Sequence, residues 1–202
     1  MSDARRHPYK ILLLGSLAVG KTSLASKFIE EKLNETQATI CVDVKTKQLQ
    51  LGGGRVALLH IWDTTGGERF RDVLTGHFTG TSGALIVYDM TCRRTFHDVA
   101  GFVADLRRHT ADTVPILLVG NKSDLETQRR VSGEEGEALA SQLNTTGSIE
   151  TSAKNGANVQ EAFIQLTEAV LAREQPVTVC EPTGNRKMSH ESSTNGDCCI
   201  LL

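Results

Sequence analysis

The chain has 202 residues, 39% of them hydrophobic, and a formal net charge of −2. That is the size of one domain with a tail, without the basic excess of a nucleic-acid binder and without any apolar run approaching the 18 residues of a membrane span. Five cysteines, three of them isolated and Cys198 and Cys199 adjacent, do not make a disulfide framework and point to a reducing, cytosolic setting; the six histidines show no metal-ligand spacing; and the first residues lack both a signal-peptide apolar segment and the glycine after Met1 that myristoylation needs.

Strand and helix patterns alternate along the chain, which predicts an α/β fold with a mostly parallel sheet. Tyr9–Leu14 is a short apolar run that reads as a buried strand feeding Gly15-Ser16-Leu17-Ala18-Val19-Gly20-Lys21-Thr22, and Lys21–Glu31 is the helix after it. Val42–Leu51 and Arg55–Trp62 flank three glycines and read as a hairpin. Ala84–Asp89 and Pro115–Gly120 are continuous apolar runs of the kind that form buried strands. Between them, Thr95 with Asp98 resembles a capping box opening a helix to about His109, with Phe96, Val99, Val103 and Leu106 on one face. Ser132 with Glu135 opens another helix, a strand surrounds Ile149, and Val159, Phe163, Leu166 and Val170 form the apolar stripe of a last helix from Asn158 to about Arg173. Beyond it the residues turn polar and aperiodic, which predicts a disordered tail.

The chemistry sits at the ends of the predicted strands. Residues 15–22 have the form of a phosphate-binding loop. Its glycines let successive N–H groups face phosphate oxygens, Lys21 bridges the β- and γ-phosphates, the Thr22 hydroxyl ligates Mg²⁺, and the helix start adds its positive end. Leu17, Ala18, Val19, Gly20, Lys21, Thr22 and Ser23 are the candidate phosphate-contacting positions. Asp63-Thr64-Thr65-Gly66 supplies a carboxylate, Asp63, for the metal through a bound water, and the Gly66 N–H reaches toward the γ-phosphate. In Asn121-Lys122-Ser123-Asp124, the Asp124 carboxylate can accept from guanine N1–H and the exocyclic amine. Adenine offers neither there, so ATP would leave a buried carboxylate unpaired. Asn121 would brace the loops and the Lys122 stem would cover one face of the base. Ser152-Ala153-Lys154 completes the pocket, with the Ala153 N–H toward guanine O6 and Lys154 flanking the base.

In this order the motifs resemble the Ras superfamily of small GTPases over roughly residues 8–173. Thr39-Ile40-Cys41-Val42-Asp43-Val44, Ile61-Trp62-Asp63-Thr64, Glu68-Arg69-Phe70-Arg71, Val87-Tyr88-Asp89-Met90-Thr91 and Glu150–Lys154 are most similar to the Rab branch. The resemblance implies a six-stranded, mostly parallel sheet with one antiparallel edge pair, flanked by five helices. It implies GTP and GDP as ligands with Mg²⁺, and Thr39 as a Mg²⁺ ligand that orders the switches only when the γ-phosphate is present. Lys21, Thr39 and position 67 become the catalytic positions, with Thr22, Thr39 and Asp63 on the metal. The implied organisation is a flexible segment 1–7, a GTPase domain 8–173 and a hypervariable tail 174–202. The implied partners are an exchange factor, a TBC-type activating protein, a GDP-dissociation inhibitor, a geranylgeranyl transferase and effectors reading a triad at Val44, Trp62 and His77. Two aromatics besides Trp62 are usual in that triad.

The departures fall on the switch machinery. Gly67 stands where the family carries the glutamine that orients the attacking water, Leu17 and Ala18 replace smaller residues beside the γ-phosphate, and Thr65 replaces an alanine. Slow intrinsic hydrolysis is the expectation. Leu33 is the nearest candidate for the aromatic that packs on guanine, no aromatic occurring between Phe28 and Trp62, so nucleotide dissociation faster than usual is expected.

Cys199-Ile200-Leu201-Leu202 fits a prenylation box with leucine last, favouring geranylgeranyl, and Cys198 can take a second lipid. From Glu174 to Asp197 there are four acidic and two basic residues, so no polybasic patch assists. The reading is a lipid-anchored switch in vesicle traffic on the cytoplasmic face of an intracellular membrane, with a cytosolic pool. The alternative is a hydrolysis-deficient, GTP-bound scaffold that recruits effectors. A P-loop kinase or ATPase is disfavoured by Asn121–Asp124 and Ser152–Lys154.

Overall fold

The computed structural model describes residues 8–30, 42–66 and 75–174. Six strands form one sheet: β1 (Tyr9–Leu14), β2 (Asp43–Gln50), β3 (Val56–Asp63), β4 (Gly83–Asp89), β5 (Ile116–Asn121) and β6 (Gly147–Glu150), in the order β2-β3-β1-β4-β5-β6. Only β2 and β3 are antiparallel, paired from Asp43 opposite Asp63 to Gln50 opposite Val56. Gly53 and Gly54 close that hairpin at φ 71° and 72°, which glycine adopts without steric penalty. The other four pairings are parallel.

Strand alternation divides the interior in two. Ile11 and Leu13 of β1, Leu85 and Val87 of β4, and Leu117 and Val119 of β5 face a core with Leu24 and Phe28 of α1 (Lys21–Glu30) and Phe163, Leu166 and Val170. Phe28 and Phe163 stack there at 3.8 Å. Leu12, Leu14, Ile86, Tyr88 and Leu118 face the opposite core with Phe96, Val99, Val103 and Leu106. Burying a side chain of this size contributes about 1.5–3 kcal/mol, so helices on both faces are what let the central strands be apolar throughout.

The flanking helices are α1, α2 (Arg93–His97) with α3 (Val99–His109), α4 (Gly133–Gln142) and α5 (Val159–Glu174). Asp98 alone separates α2 from α3, at helical angles of −70° and −18°, so the two act as one rod with a hitch. The described residues therefore show four helical rods, against the five expected. The capping box expected at Thr95 is absent. Thr95 lies inside α2, where its hydroxyl accepts from the Asp89 N–H at 3.0 Å and donates to the Cys92 carbonyl at 2.8 Å. A residue already inside a helical turn has no orphan N–H ahead of it to cap. The box at Ser132 does form: its hydroxyl accepts from the Glu135 N–H at 3.2 Å while Glu135 accepts from the Ser132 N–H at 3.0 Å.

Because the chain leaves β1 for one side of the sheet and returns to β4 on the other, the loop after β1 sits at the point where strand order reverses. In open parallel sheets that crevice is where ligands bind.

Candidate functional site: loops at one end of the sheet

The loop leaving β1 turns back over Lys21, the first residue of α1. Lys21 is 5% exposed, and its ammonium donates to the Gly15 and Ser16 carbonyls, both at 2.9 Å. Burial pushes its pKa down from 10.5 to about 8, against the pull of Asp63. A cation held this dry is stabilised by any anion delivered to the loop. Gly20, at φ 97°, cannot be replaced here, since a Cβ would lie 2.3 Å from Asn121 Nδ2. Ala18 sits at φ 61°, a left-handed conformation that strains an L-residue.

Beside Lys21, the Thr22 hydroxyl donates to Asp63 Oδ2 at 2.5 Å. Asp63 is 1% exposed, and its Oδ1 has no hydrogen-bond partner among the described residues. Burial raises its pKa, with the Thr22 hydrogen bond and Lys21 acting in opposition. A hydroxyl and a carboxylate with an orphaned buried oxygen form a hard-oxygen pair that fits Mg²⁺. Mg²⁺ is held by one or two protein oxygens, which two such side chains can supply, together with water and substrate phosphates. Gly66 packs backbone to backbone on the phosphate loop, for a Cβ there would stand 2.5 Å from the Ser16 carbonyl and 2.6 Å from the Leu17 nitrogen.

The third and fourth motifs meet the first through one side chain. Asn121, 1% exposed, donates from Nδ2 to the Val19 carbonyl at 2.8 Å, and its Oδ1 accepts from the Ala153 N–H at 3.1 Å and the Thr151 hydroxyl at 3.3 Å. Lys122 turns through φ 70° and its ammonium lies 2.7 Å from Asp89 Oδ2. Asp124 accepts from the Ser152 hydroxyl at 2.6 Å, and Lys154 stands 3.7 Å from its other oxygen. Asp124, Lys122, Ser152, Ala153 and Lys154 therefore share one end of the sheet with Lys21, Thr22 and Asp63. The Ala153 N–H, expected to face a base, donates to Asn121 in this structure.

Leu17 is 60% exposed at the lip of the loop. Val44 and Trp62 are cross-strand partners, and the Trp62 and His77 rings lie 5.7 Å apart, so the three expected effector positions form one patch. Thr39, Gly67, Leu33, Cys198 and Cys199 lie outside the described residues. Two contacts were not legible in the sequence. Ser16 of the phosphate loop donates to Asp98 Oδ2 at 2.7 Å, tying the loop to the start of α3. Lys10 donates to the His77 and Thr79 carbonyls while its ammonium lies 4.0 Å from the centre of the Trp62 ring. Each joins residues more than 50 positions apart, and no spacing along the chain pairs one with the other.

The Ras family model matches residues 10–172 of this chain. Ras-related protein SEC4 of Saccharomyces cerevisiae is 43% identical over 162 residues, covering 80% of this chain and 74% of the relative. Ras-related protein Rab-8B of Homo sapiens is 37% identical over 194 residues, covering 96% and 88%. GTP-binding protein ypt2 of Schizosaccharomyces pombe is 40% identical over 162 residues, covering 80% of each chain.

Proposed function

The chain belongs to the Ras family of small GTPases, in its Rab branch, and on that premise we propose how its own residues carry GTP binding and hydrolysis and where they depart from the family. Membership makes it a GTPase acting in vesicle traffic at membranes, with GTP and GDP as ligands and with exchange factors, activating proteins, dissociation inhibitors and effectors as its kinds of partner. In the proposed site, backbone N–H groups of Leu17–Gly20 and Ser23 cradle the phosphates. The desolvated Lys21 ammonium gains its missing counter-charge from the β- and γ-phosphates, and Gly66 closes on the third phosphate. Thr22 and Asp63 would hold Mg²⁺, completed by Thr39, and the ion would supply Lewis-acid neutralisation of phosphate charge. Asp124 reads guanine, with Lys122, Ser152, Ala153 and Lys154 around the base. The supporting observation is the Asn121 side chain, which joins the phosphate loop to the base-reading loops and gives one pocket both specificities.

Hydrolysis is slow in this reading. Unassisted family rates are about 10⁻⁴–10⁻³ s⁻¹, and losing one group that positions the transition state lowers a rate by about 10²-fold. With glycine at position 67, γ-phosphate release falls below roughly 10⁻⁵ s⁻¹. A TBC-type activating domain that brings its own glutamine and arginine can restore it. Single-turnover phosphate release, with and without a panel of such domains, is the test. Unassisted release at ordinary family rates refutes the slow-switch reading, and acceleration by any domain identifies a working switch. The exposed Leu17, standing where incoming residues must pass, favours a second reading: a GTP-bound scaffold whose hydrolysis no domain accelerates. Anchoring through Cys198 and Cys199 on the cytoplasmic face of an intracellular membrane, with geranylgeranyl transferase as the modifying enzyme and a cytosolic pool held by a GDP-dissociation inhibitor, completes the proposal.

A further inference from the structure

At the end of the sheet opposite the nucleotide loops, where β4 and β5 begin and α3 and α5 end, lies an open cavity of about 410 Å³. Its floor is the buried pair Thr81 and Val114, and its rim carries Arg108, His109 and Arg173. None of the described residues lining it is acidic. The Arg173 guanidinium donates to the neutral Thr113 hydroxyl and has no carboxylate partner among the described residues. Among the described residues Arg108 is paired only with Asp105, one turn away on its own helix at 3.1 Å, with its side chain 71% exposed. The His109 Nδ1–H donates to the Asp105 carbonyl at 2.8 Å and its ring rests edge-on against Phe78, leaving Nε2 as an acceptor for a hydroxyl of a ligand.

From this geometry we propose that the cavity is an anion site for a small phosphorylated group, a phosphomonoester on a polar body. Two guanidinium forks match phosphate oxygens in a way that point charges do not. The alternative role for these cations is to complement the C-terminal dipoles of α3 and α5. Each dipole amounts to about half a charge, which leaves the two guanidiniums in excess even with Asp105 counted against one of them in part. The open, polar shape suits a charged group that keeps some water and excludes a buried apolar ligand. The same chemistry is offered by a phosphoinositide head group in a membrane and by a free sugar phosphate, and the cavity meets the chain at Arg173, where α5 delivers it to its remaining 28 residues.

The test uses the full chain loaded with GDP and Mg²⁺, so that the nucleotide pocket is filled. Inositol trisphosphate is titrated while the His109 imidazole resonances and the bound nucleotide are followed separately, and in a parallel arm the protein is sedimented with phosphatidylcholine vesicles with and without a phosphatidylinositol monophosphate. The expected result is saturable binding that moves His109, leaves nucleotide occupancy unchanged, and weakens about tenfold in either R108Q or R173Q, both on exposed rims where folding is not at stake. Equal engagement of free and vesicle-borne phosphate identifies a soluble ligand; preference for the vesicle identifies a lipid. No binding in either arm, binding unchanged in both variants, or loss of GDP instead of a His109 shift overturns the proposal.

Discussion

Replacing Asn121 by alanine tests whether one side chain holds the site together. The substitution strips the Val19 carbonyl of its donor at 2.8 Å and the Ala153 N–H of its acceptor at 3.1 Å; the Thr151 hydroxyl, at 3.3 Å, can rotate to another partner. With Asn121 only 1% exposed, water does not replace these bonds without opening the loops. Each buried group left unsatisfied costs about 1–3 kcal/mol, so two of them give about 4 kcal/mol, a large part of a domain's 5–15 kcal/mol. At a urea slope near 2 kcal/mol/M, the unfolding midpoint of the nucleotide-free N121A protein falls by about 2 M. N121D is the informative companion. It keeps the acceptor for Ala153 but sets a carboxylate oxygen against the Val19 carbonyl, and it is expected to destabilise at least as much. With saturating GDP the loss in N121A grows further, because weaker binding removes ligand stabilisation as well. A loss below about 1 kcal/mol in nucleotide-free N121A, with an unchanged slope, refutes the view that Asn121 braces these loops.

Two further outcomes concern the phosphate loop. The Lys21 ammonium is lowered from 10.5 to about 8 in the folded chain, so between those values the unfolded chain binds more protons and the stability of the nucleotide-free protein rises with pH. The gain has an upper bound of about 3 kcal/mol and vanishes in K21M; urea midpoints of both proteins at pH 7.5 and 10 measure it, and a wild-type minus K21M difference that stays constant with pH refutes it. In A18G, relief of the left-handed strain at φ 61° outweighs the added freedom of the unfolded chain by about 0.5 kcal/mol, raising the nucleotide-free Tm by about 1–2 °C, and a lowered Tm would show that the loop carries no such strain.

The strands and the helix at Ser132 were readable because their signals are local. Continuous apolar runs, a three-glycine turn and a serine three residues ahead of a glutamate each act within a few positions; the five strands with expected ends appear within a residue of them, and the sixth, Gly147–Glu150, contains Ile149 as expected. The same locality misled at Thr95, where the Thr–Asp spacing of a capping box is present. There the Asp89 N–H, fixed at the end of β4, reaches the hydroxyl first, and Asp98 is drawn to Ser16.

The identity of the chemistry was a property of the sequence, since a phosphate loop needs glycines and a lysine at fixed spacing, and a guanine reader needs its carboxylate after a strand. What tertiary structure alone decided is which side chains meet across long separations. Asn121 reaches Val19 across 102 positions, Ser16 reaches Asp98 across 82, and Arg108 and Arg173 come to one cavity from two different helices. Such contacts are set by strand order and helix placement, which follow from how apolar faces pack against one another, and no spacing along the chain encodes them.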